Sequence, residues 1–346
     1  MKRLFLLTVG IILFQLSYAQ DEPAPVTISG SVDTYYKYDF SDNENIGTSF
    51  GEDQNSFSIG MANLIFSGET GKASFVADLS FGPRSAGSLP GGDSGAFDAS
   101  FNIQNLYVSY ALTDKLSVTG GYMGTFVGYE VISPVGNFNY STSYLFTNGP
   151  FQNAGLKLDY AISDRVAIMV GLFNDWNVYS DENDIADFGA QLYVSPVDGW
   201  DAYINMVTGP VSGTEFDLTT TYQITDEFML GLNAATYSAP DTEDGGEEID
   251  GGSFSGVALY ANYAFTDAFA LGIRGETFTD DNLGILSGGQ QSSVTAFTVS
   301  ANIGSGPLKL IPELRIDSAE EDIFLDADSA PTSSAVQFLV AAVFGF

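Results

Sequence analysis

Val26-Thr27-Ile28-Ser29-Gly30-Ser31-Val32-Asp33-Thr34-Tyr35-Tyr36-Lys37-Tyr38-Asp39-Phe40 reads as one ribbon with two different edges. Every even position except Gly30 and Thr34 is apolar or aromatic, while the odd positions carry Thr27, Ser29, Ser31, Asp33, Tyr35, Lys37 and Asp39. A period of two sends successive side chains to opposite faces, so the stretch is a strand with one greasy and one wet face. The alternation recurs over 73–84, 116–124, 152–162, 166–175, 184–195, 200–209, 215–224, 228–237, 254–265, 269–279, 292–303, 308–317 and 334–346. Two further strands, 57–68 and 97–112, are less regular. In the second the apolar parity switches around Asn105, which predicts a β-bulge. The pattern predicts sixteen strands, with Pro312 as a misfit inside one of them.

The connections sort by length. Short ones, such as 69–72, 113–115, 163–165, 196–199, 225–226, 266–267 and 304–306, alternate with mostly longer polar, Gly- and acid-rich ones, such as 41–54, 85–96, 238–252 and 318–333. The longest, 125–150, follows the fifth strand. A soluble sandwich has no reason to sort its turns this way. A transmembrane barrel with tight periplasmic turns and long external loops does.

Charge follows the same parity. Lys37, Arg84, Lys157, Arg274, Lys309 and Arg315 fall on the polar face, as do Asp33, Asp39, Asp78, Asp159, Asp187, Asp201, Asp217, Glu276, Glu313 and Asp317; Asp184, at a strand end, is the exception. Lipid supplies a reason, because Arg or Lys at its midplane costs roughly 2–4 kcal/mol. Sixteen strands closed into a barrel enclose a space too wide for wall side chains alone to fill, so the expected interior is a polar, water-filled channel. Aromatics of the apolar parity gather beside the short turns: Tyr160, Trp200, Tyr222, Phe228, Tyr263, Phe265, Phe269, Phe344 and Phe346. They predict a membrane-interface girdle. The fold class read from these patterns is all-β: a transmembrane antiparallel up-and-down barrel of sixteen strands.

At the N-terminus, Lys2 and Arg3 precede an apolar run from Leu4 to Leu16 and then Ser17-Tyr18-Ala19. This is the layout of a signal peptide, with cleavage expected after Ala19. The expected organisation is a signal peptide at 1–19, a short periplasmic segment at 20–25 and the barrel at 26–346. The expected destination is the bacterial outer membrane, and the apolar faces make membrane lipid a partner.

Composition narrows the chemistry. The 346 residues include no His and no Cys, which excludes Ser-His-Asp hydrolysis, cysteine nucleophiles, disulfides and ordinary zinc sites. With 44 Asp and Glu against 11 Lys and Arg, the net charge of −33 argues against nucleic acid. The acidic run 241–250 does not match an EF-hand loop, and Gly251-Gly252 and Gly288-Gly289 lack the strand-to-helix context of a phosphate cradle. No enzyme activity, cofactor or metal is expected. Within the channel, Arg274 with Glu276, Lys157 with Asp159, and the set Lys309, Glu313, Arg315 and Asp317 predict either a transverse field or mutual pairing along the wall.

The segment Gly121-Tyr122-Met123-Gly124-Thr125-Phe126-Val127-Gly128-Tyr129-Glu130, with Asn137-Phe138-Asn139-Tyr140-Ser141-Thr142-Ser143-Tyr144 and Gly149-Pro150-Phe151, resembles the OmpL-like putative β-barrel porin-2 family. The likeness continues through 154–160, Gly171-Leu172-Phe173-Asn174-Asp175-Trp176 and Ser195-Pro196, covering about a third of the chain closely. Thr142 departs from the family pattern, in which a basic residue is common near the Tyr-Ser element. The resemblance implies an outer-membrane pore. It makes 125–150, the long third loop, the candidate for a constriction, with Glu130, Asn137, Tyr140 and Tyr144 as the narrowing residues. The last strand ends in Phe346, which resembles the C-terminal aromatic by which outer-membrane assembly machinery recognises its clients.

The expected function is passive diffusion of small hydrophilic solutes and ions, with weak cation preference. Two alternatives stay open: an oligosaccharide- or peptide-selective channel using Tyr35, Tyr193, Tyr203, Tyr237 and Tyr260, and an adhesin or structural barrel with a closed lumen. A homotrimer is compatible with the strand count.

Overall fold

The structure, a computed structural model, describes residues 25–87, 103–181, 184–244, 247–286 and 291–346. The expected signal peptide, the start of the 97–112 strand, most of the 85–96 loop and Gly288-Gly289 lie outside the described residues.

Sixteen strands close into one antiparallel barrel. They are β1 (Thr27–Asp39), β2 (Ser56–Thr70), β3 (Ala73–Phe81), β4 (Ile103–Ala111), β5 (Leu116–Gly124), β6 (Gln152–Ser163), β7 (Val166–Phe173) and β8 (Asp187–Val194) in the first half. The second half comprises β9 (Trp200–Gly209), β10 (Gly213–Gln223), β11 (Phe228–Ser238), β14 (Ser253–Thr266), β15 (Phe269–Asp281), β16 (Ser292–Ser305), β17 (Leu308–Ala319) and β20 (Ser334–Gly345). The acidic run folds into a small hairpin, β12 (Thr242–Asp244) with β13 (Glu247–Ile249), and β18 (Phe324–Leu325) pairs with β19 (Pro331–Thr332). Each strand pairs with its chain neighbour in the barrel, and β1 against β20 closes the ring, Ser31 opposite Gly345 and Tyr38 opposite Phe338.

Alternation alone leaves open which face looks outward; burial decides it. Ile28, Leu106, Leu156, Ile204, Leu259 and Ile303 are exposed, whereas Asp33, Lys37, Asn63, Asp217, Arg274 and Glu313 are buried. A soluble protein does not present such an apolar belt to water around its whole circumference. Backbone hydrogen bonds are satisfied strand to strand without an edge, the condition for crossing hydrocarbon as sheet. Short turns occupy one end and the long connections the other, with the three-residue link 210–212 as the exception.

The irregularities have local causes. Asp78 pairs with Asn105 and Leu79 with Ile103, so Gln104 is the extra residue of the bulge expected near Asn105. Pro312 remains opposite Val340 of β20, but the β16–β17 ladder has a gap between Ser300–Glu313 and Ile303–Leu310. The missing proline N–H is thus accommodated by local loss of pairing without a register slip.

Three expectations are corrected. β3 stops at Phe81, and Arg84 lies on a short helix, Pro83–Gly87, where Gly82 turns the chain at φ 106°. Asp184 precedes β8 and has φ 70°, so it belongs to no strand face. The interior is not uniformly polar: Phe254, Ala258, Phe278, Val294, Ala296 and Ala335 point inward and pack with Ile46, Tyr144, Leu145 and Phe324. A second inward apolar cluster joins Tyr35, Tyr140, Ile311, Leu339, Ala341 and Val343. Connecting segments pack against that side.

Leu259→Arg, in the middle of the outward belt, is expected to destabilise the folded barrel by about 2–4 kcal/mol in urea unfolding from lipid vesicles. Thr279→Arg, near the long-loop rim, should cost at most about 1 kcal/mol in the same measurement.

Candidate functional site

The segment 125–150 enters the barrel from the long-loop end, descends, and returns. Its backbone reads out the path. Gly128 N–H donates to Asp217 on β10, the Ile132 carbonyl accepts from Arg84 Nε at 2.8 Å, and Ser133 Oγ lies 3.4 Å from Ser31 Oγ on β1. Val135 meets Gly345 near the short-turn end. The chain then climbs back: the Phe138 carbonyl accepts from Asn302, Asn139 donates to Ser300, and Tyr140 N–H donates to Glu313.

Wall charges hold this segment mainly through its backbone. Arg274 Nη1 donates to the Ser141 carbonyl at 2.7 Å and Arg315 Nη1 to the Thr142 carbonyl at 2.8 Å; Arg274 Nη2 adds a second bond to Thr142 at 3.2 Å. Arg84 reaches the Tyr140 carbonyl and lies over the Tyr140 and Phe50 rings. Carboxylates take the amides: Glu313 accepts from Tyr140 and Ser141, and Glu276 from Tyr144 and Leu145. Those last two amides open the short helix Tyr144–Asn148, where N–H groups lack intrahelical acceptors. Ser143 Oγ accepts from Phe146 N–H as its N-cap.

Side chains complete the lock. Glu130, the one charged residue of 125–150, pairs with Arg274 at 2.6 Å and accepts from Ser143 N and Oγ. Tyr140 donates to Asp33, and Tyr144 donates to Asp317, which also holds Arg315 bidentately at 2.8 and 2.9 Å. Burial pushes the Tyr129 phenol up to about 12, with Glu130 adding to the shift, and drives the Tyr140 and Tyr144 phenols well above the ordinary value. All three stay neutral near pH 7. The 40–55 connection caps the arrangement: Thr48 Oγ1 accepts from Arg315, Ser49 bonds Thr147 and Thr142, and Phe50 packs on Phe146 and Phe151. Two inward glycines make room, since a Cβ at Gly231 would collide with the Tyr129 hydroxyl and one at Gly272 with the Phe138 ring.

The residues singled out from sequence separate into groups. Glu130, Tyr140 and Tyr144 come together with Arg274, Glu276, Glu313 and Arg315 under the inserted segment, while the Asn137 side chain bonds only Val131 of its own loop. Lys37 is buried on β1 among Asp39, Glu44, Glu52 and Asp53, and Asp78 accepts from Asn63 and Asn105. Asp187 is buried at the long-loop end of β8, and Lys309 is exposed near the short-turn end. On the opposite wall, Lys157 and Asp159 pair at 3.1 Å and keep side-chain exposures of 26% and 37%; Asp201 accepts from Tyr193. The aromatics at the short turns form outward neighbours, Trp200 with Tyr222, Phe228 with Tyr263 and Phe265 with Phe269, and Tyr160 and Phe346 are exposed on the same face.

The sixteen-stranded barrel has counterparts among known proteins. The family model described as putative β-barrel porin-2, OmpL-like, matches residues 25–346. The chain belongs to that family. Like its porin relatives, it is an outer-membrane barrel. Among solved structures, OmpF of Salmonella typhi in complex with daunomycin superposes with a TM-score of 0.60 at 12% identity, covering 93% of this chain and 98% of that one. The anion-selective porin of Comamonas acidovorans gives 0.59 at 12% identity, covering 93% and 100%. OmpT of Vibrio cholerae gives 0.58 at 11% identity, covering 94% and 99%. At these identities the likeness is one of fold. No curated protein matches the chain significantly.

Sequence reasoning did not anticipate that the wall arginines would bind loop carbonyls in place of solute. Gly231 and Gly272 were the available signal, because a bare position inside a strand often marks a close approach to the wall.

Arg274→Ala leaves Glu130 buried without its partner and is expected to cost about 3–5 kcal/mol. The Arg274→Ala/Glu130→Ala double variant should lose less than the sum of the single losses. Hydrogen exchange should show faster opening of 125–150 in the single variant.

Proposed function

We propose that the protein is a pore for passive diffusion of small hydrophilic solutes and ions, narrowed by 125–150 to the side of the lumen bounded by β6–β11. The supporting observation is the asymmetry of the interior. Arg274, Glu276, Glu313 and Arg315 are buried beneath the inserted segment, whereas Lys157, Asp159, Gln191, Tyr193 and Tyr203 retain access to solvent. Solutes then travel along the second set. Lys157 and Asp159 offset each other, which leaves Asp201 as unbalanced negative charge, so cations are favoured weakly. In this reading the protein is not an enzyme, the N-terminal leader directs export, and the short-turn aromatics sit at the lipid headgroups. Assembly as a homotrimer fits the porin family; a trimer form is described for OmpT of Vibrio cholerae.

Tight packing of the β14–β20 side favours one competing reading, a structural or adhesive barrel with a closed lumen. Planar-bilayer recording separates the two. Discrete, weakly cation-selective conductance is expected from the intact barrel, with a several-fold increase when 126–149 is replaced by a short glycine linker. Absence of conductance from both proteins supports the closed barrel.

A further inference from the structure

Two cavities lie along the open side of the lumen. One, of about 450 Å³, sits between Phe126 and Tyr129 of the inserted segment and Gln191, Tyr203, Thr219 and Thr221 of the wall. The other, of about 310 Å³, extends toward the short turns past Met169, Gln191 and Tyr193. Gln191 borders both, and the Tyr193 and Tyr203 rings, 5.1 Å apart, bridge from one to the other.

Along this wall some polar groups are committed and others are free. Asn205 and Asn233 are committed to Asp217, and Tyr193 to Asp201. By contrast, the hydroxyls of Tyr203, Thr219 and Thr221 have no hydrogen-bond partner among the described residues. The Gln191 amide nitrogen is fixed by the Phe126 carbonyl at 3.2 Å and Asn205 at 2.8 Å, which leaves its amide oxygen to accept from a solute. Aromatic surface, free hydroxyls and a fixed amide therefore converge on one space.

We infer that this wall carries a binding subsite for a neutral saccharide of one to three sugar units. The inference rests on the pore reading for the solute's route and names the solute class. A pyranose presents a C–H face that packs on an aromatic ring and a rim of hydroxyls that exchange hydrogen bonds with Thr, Tyr and Gln. No Lys or Arg borders the larger cavity, so an anion finds no partner there. No Asp or Glu lines that cavity either, and the nearby Asp217 accepts from Gly128, Asn205 and Asn233, so an organic cation meets no carboxylate at its wall. A neutral polyol is the chemistry that suits this larger, uncharged cavity.

Binding and conduction are measured separately on the refolded full barrel. Saturation-transfer NMR with maltotriose in detergent should show transfer to the sugar ring C–H protons, and the same sugar should reversibly reduce ion current in a planar bilayer. Tyr203→Ala should weaken both effects about tenfold, while Tyr203→Phe, which keeps the ring, should retain most of the binding. Polyethylene glycol of similar size controls for simple exclusion. Transfer without any current supports the subsite and overturns the pore. Normal current with no transfer, with transfer unaffected by Tyr203→Ala, or with block by tetramethylammonium but not by maltotriose overturns the subsite.

Discussion

Arg84, Arg274 and Arg315 are buried guanidinium groups whose acceptors include backbone carbonyls of a connecting segment. Removing a charge from water costs several kcal/mol unless hydrogen bonds and an opposite charge replace the lost hydration. The segment 125–150 provides the carbonyls, and Glu130 and Asp317 provide the charge. In return, Glu276 and Glu313 satisfy amides that neither strand nor helix pairing would occupy. Each half satisfies the other: the segment's carbonyls replace water around the buried guanidinium groups, and the wall carboxylates take the segment's unpaired amides. Because the bonds run largely to main chain, the wall constrains the path of 125–150 more than its side-chain identities.

This dependence divides the lumen. From β14 through β20 to β1, inward residues are consumed by packing and by the charge lattice. From β6 to β11 the wall keeps shorter or partly free polar groups and the Tyr193–Tyr203 pair. The outer surface obeys a separate constraint, since lipid requires an apolar face and a closed ladder. Aromatic neighbours at the short turns mark one boundary of that face. Hydroxyl pairs such as Thr208 with Thr214 and Thr279 with Ser293 lie toward the other.

Legibility in sequence followed these constraints. Lipid acts on every outward residue, so it writes a period of two that can be read strand by strand, and the bulge at Gln104 was visible as a break in that period. The interior answers to particular neighbours. Phe254, Phe278 and Val294 are apolar on the inward face because the 40–55 and 125–150 connections pack on them, a relation that no local pattern encodes. Arg84 has the parity of a strand continued past Phe81, yet Gly82 turns the chain first. For Arg274 and Glu276, sequence spacing established that they share a face but not whether they meet water, each other or a third element. Here the third element, 125–150, takes both.

The chain lacks cysteine, so an introduced pair reports on the central claim without background. Ser31 and Ser133 have their hydroxyl oxygens 3.4 Å apart, one on the barrel wall and the other at the turning point of the inserted segment. In a Ser31→Cys/Ser133→Cys variant folded in lipid, mild oxidation should produce an intramolecular disulfide in nearly every molecule, detected by mass spectrometry after proteolysis. Two thiols that remain free, with Cys at 133 labelled rapidly by an impermeant maleimide from the long-loop side, would contradict a segment that crosses the lumen.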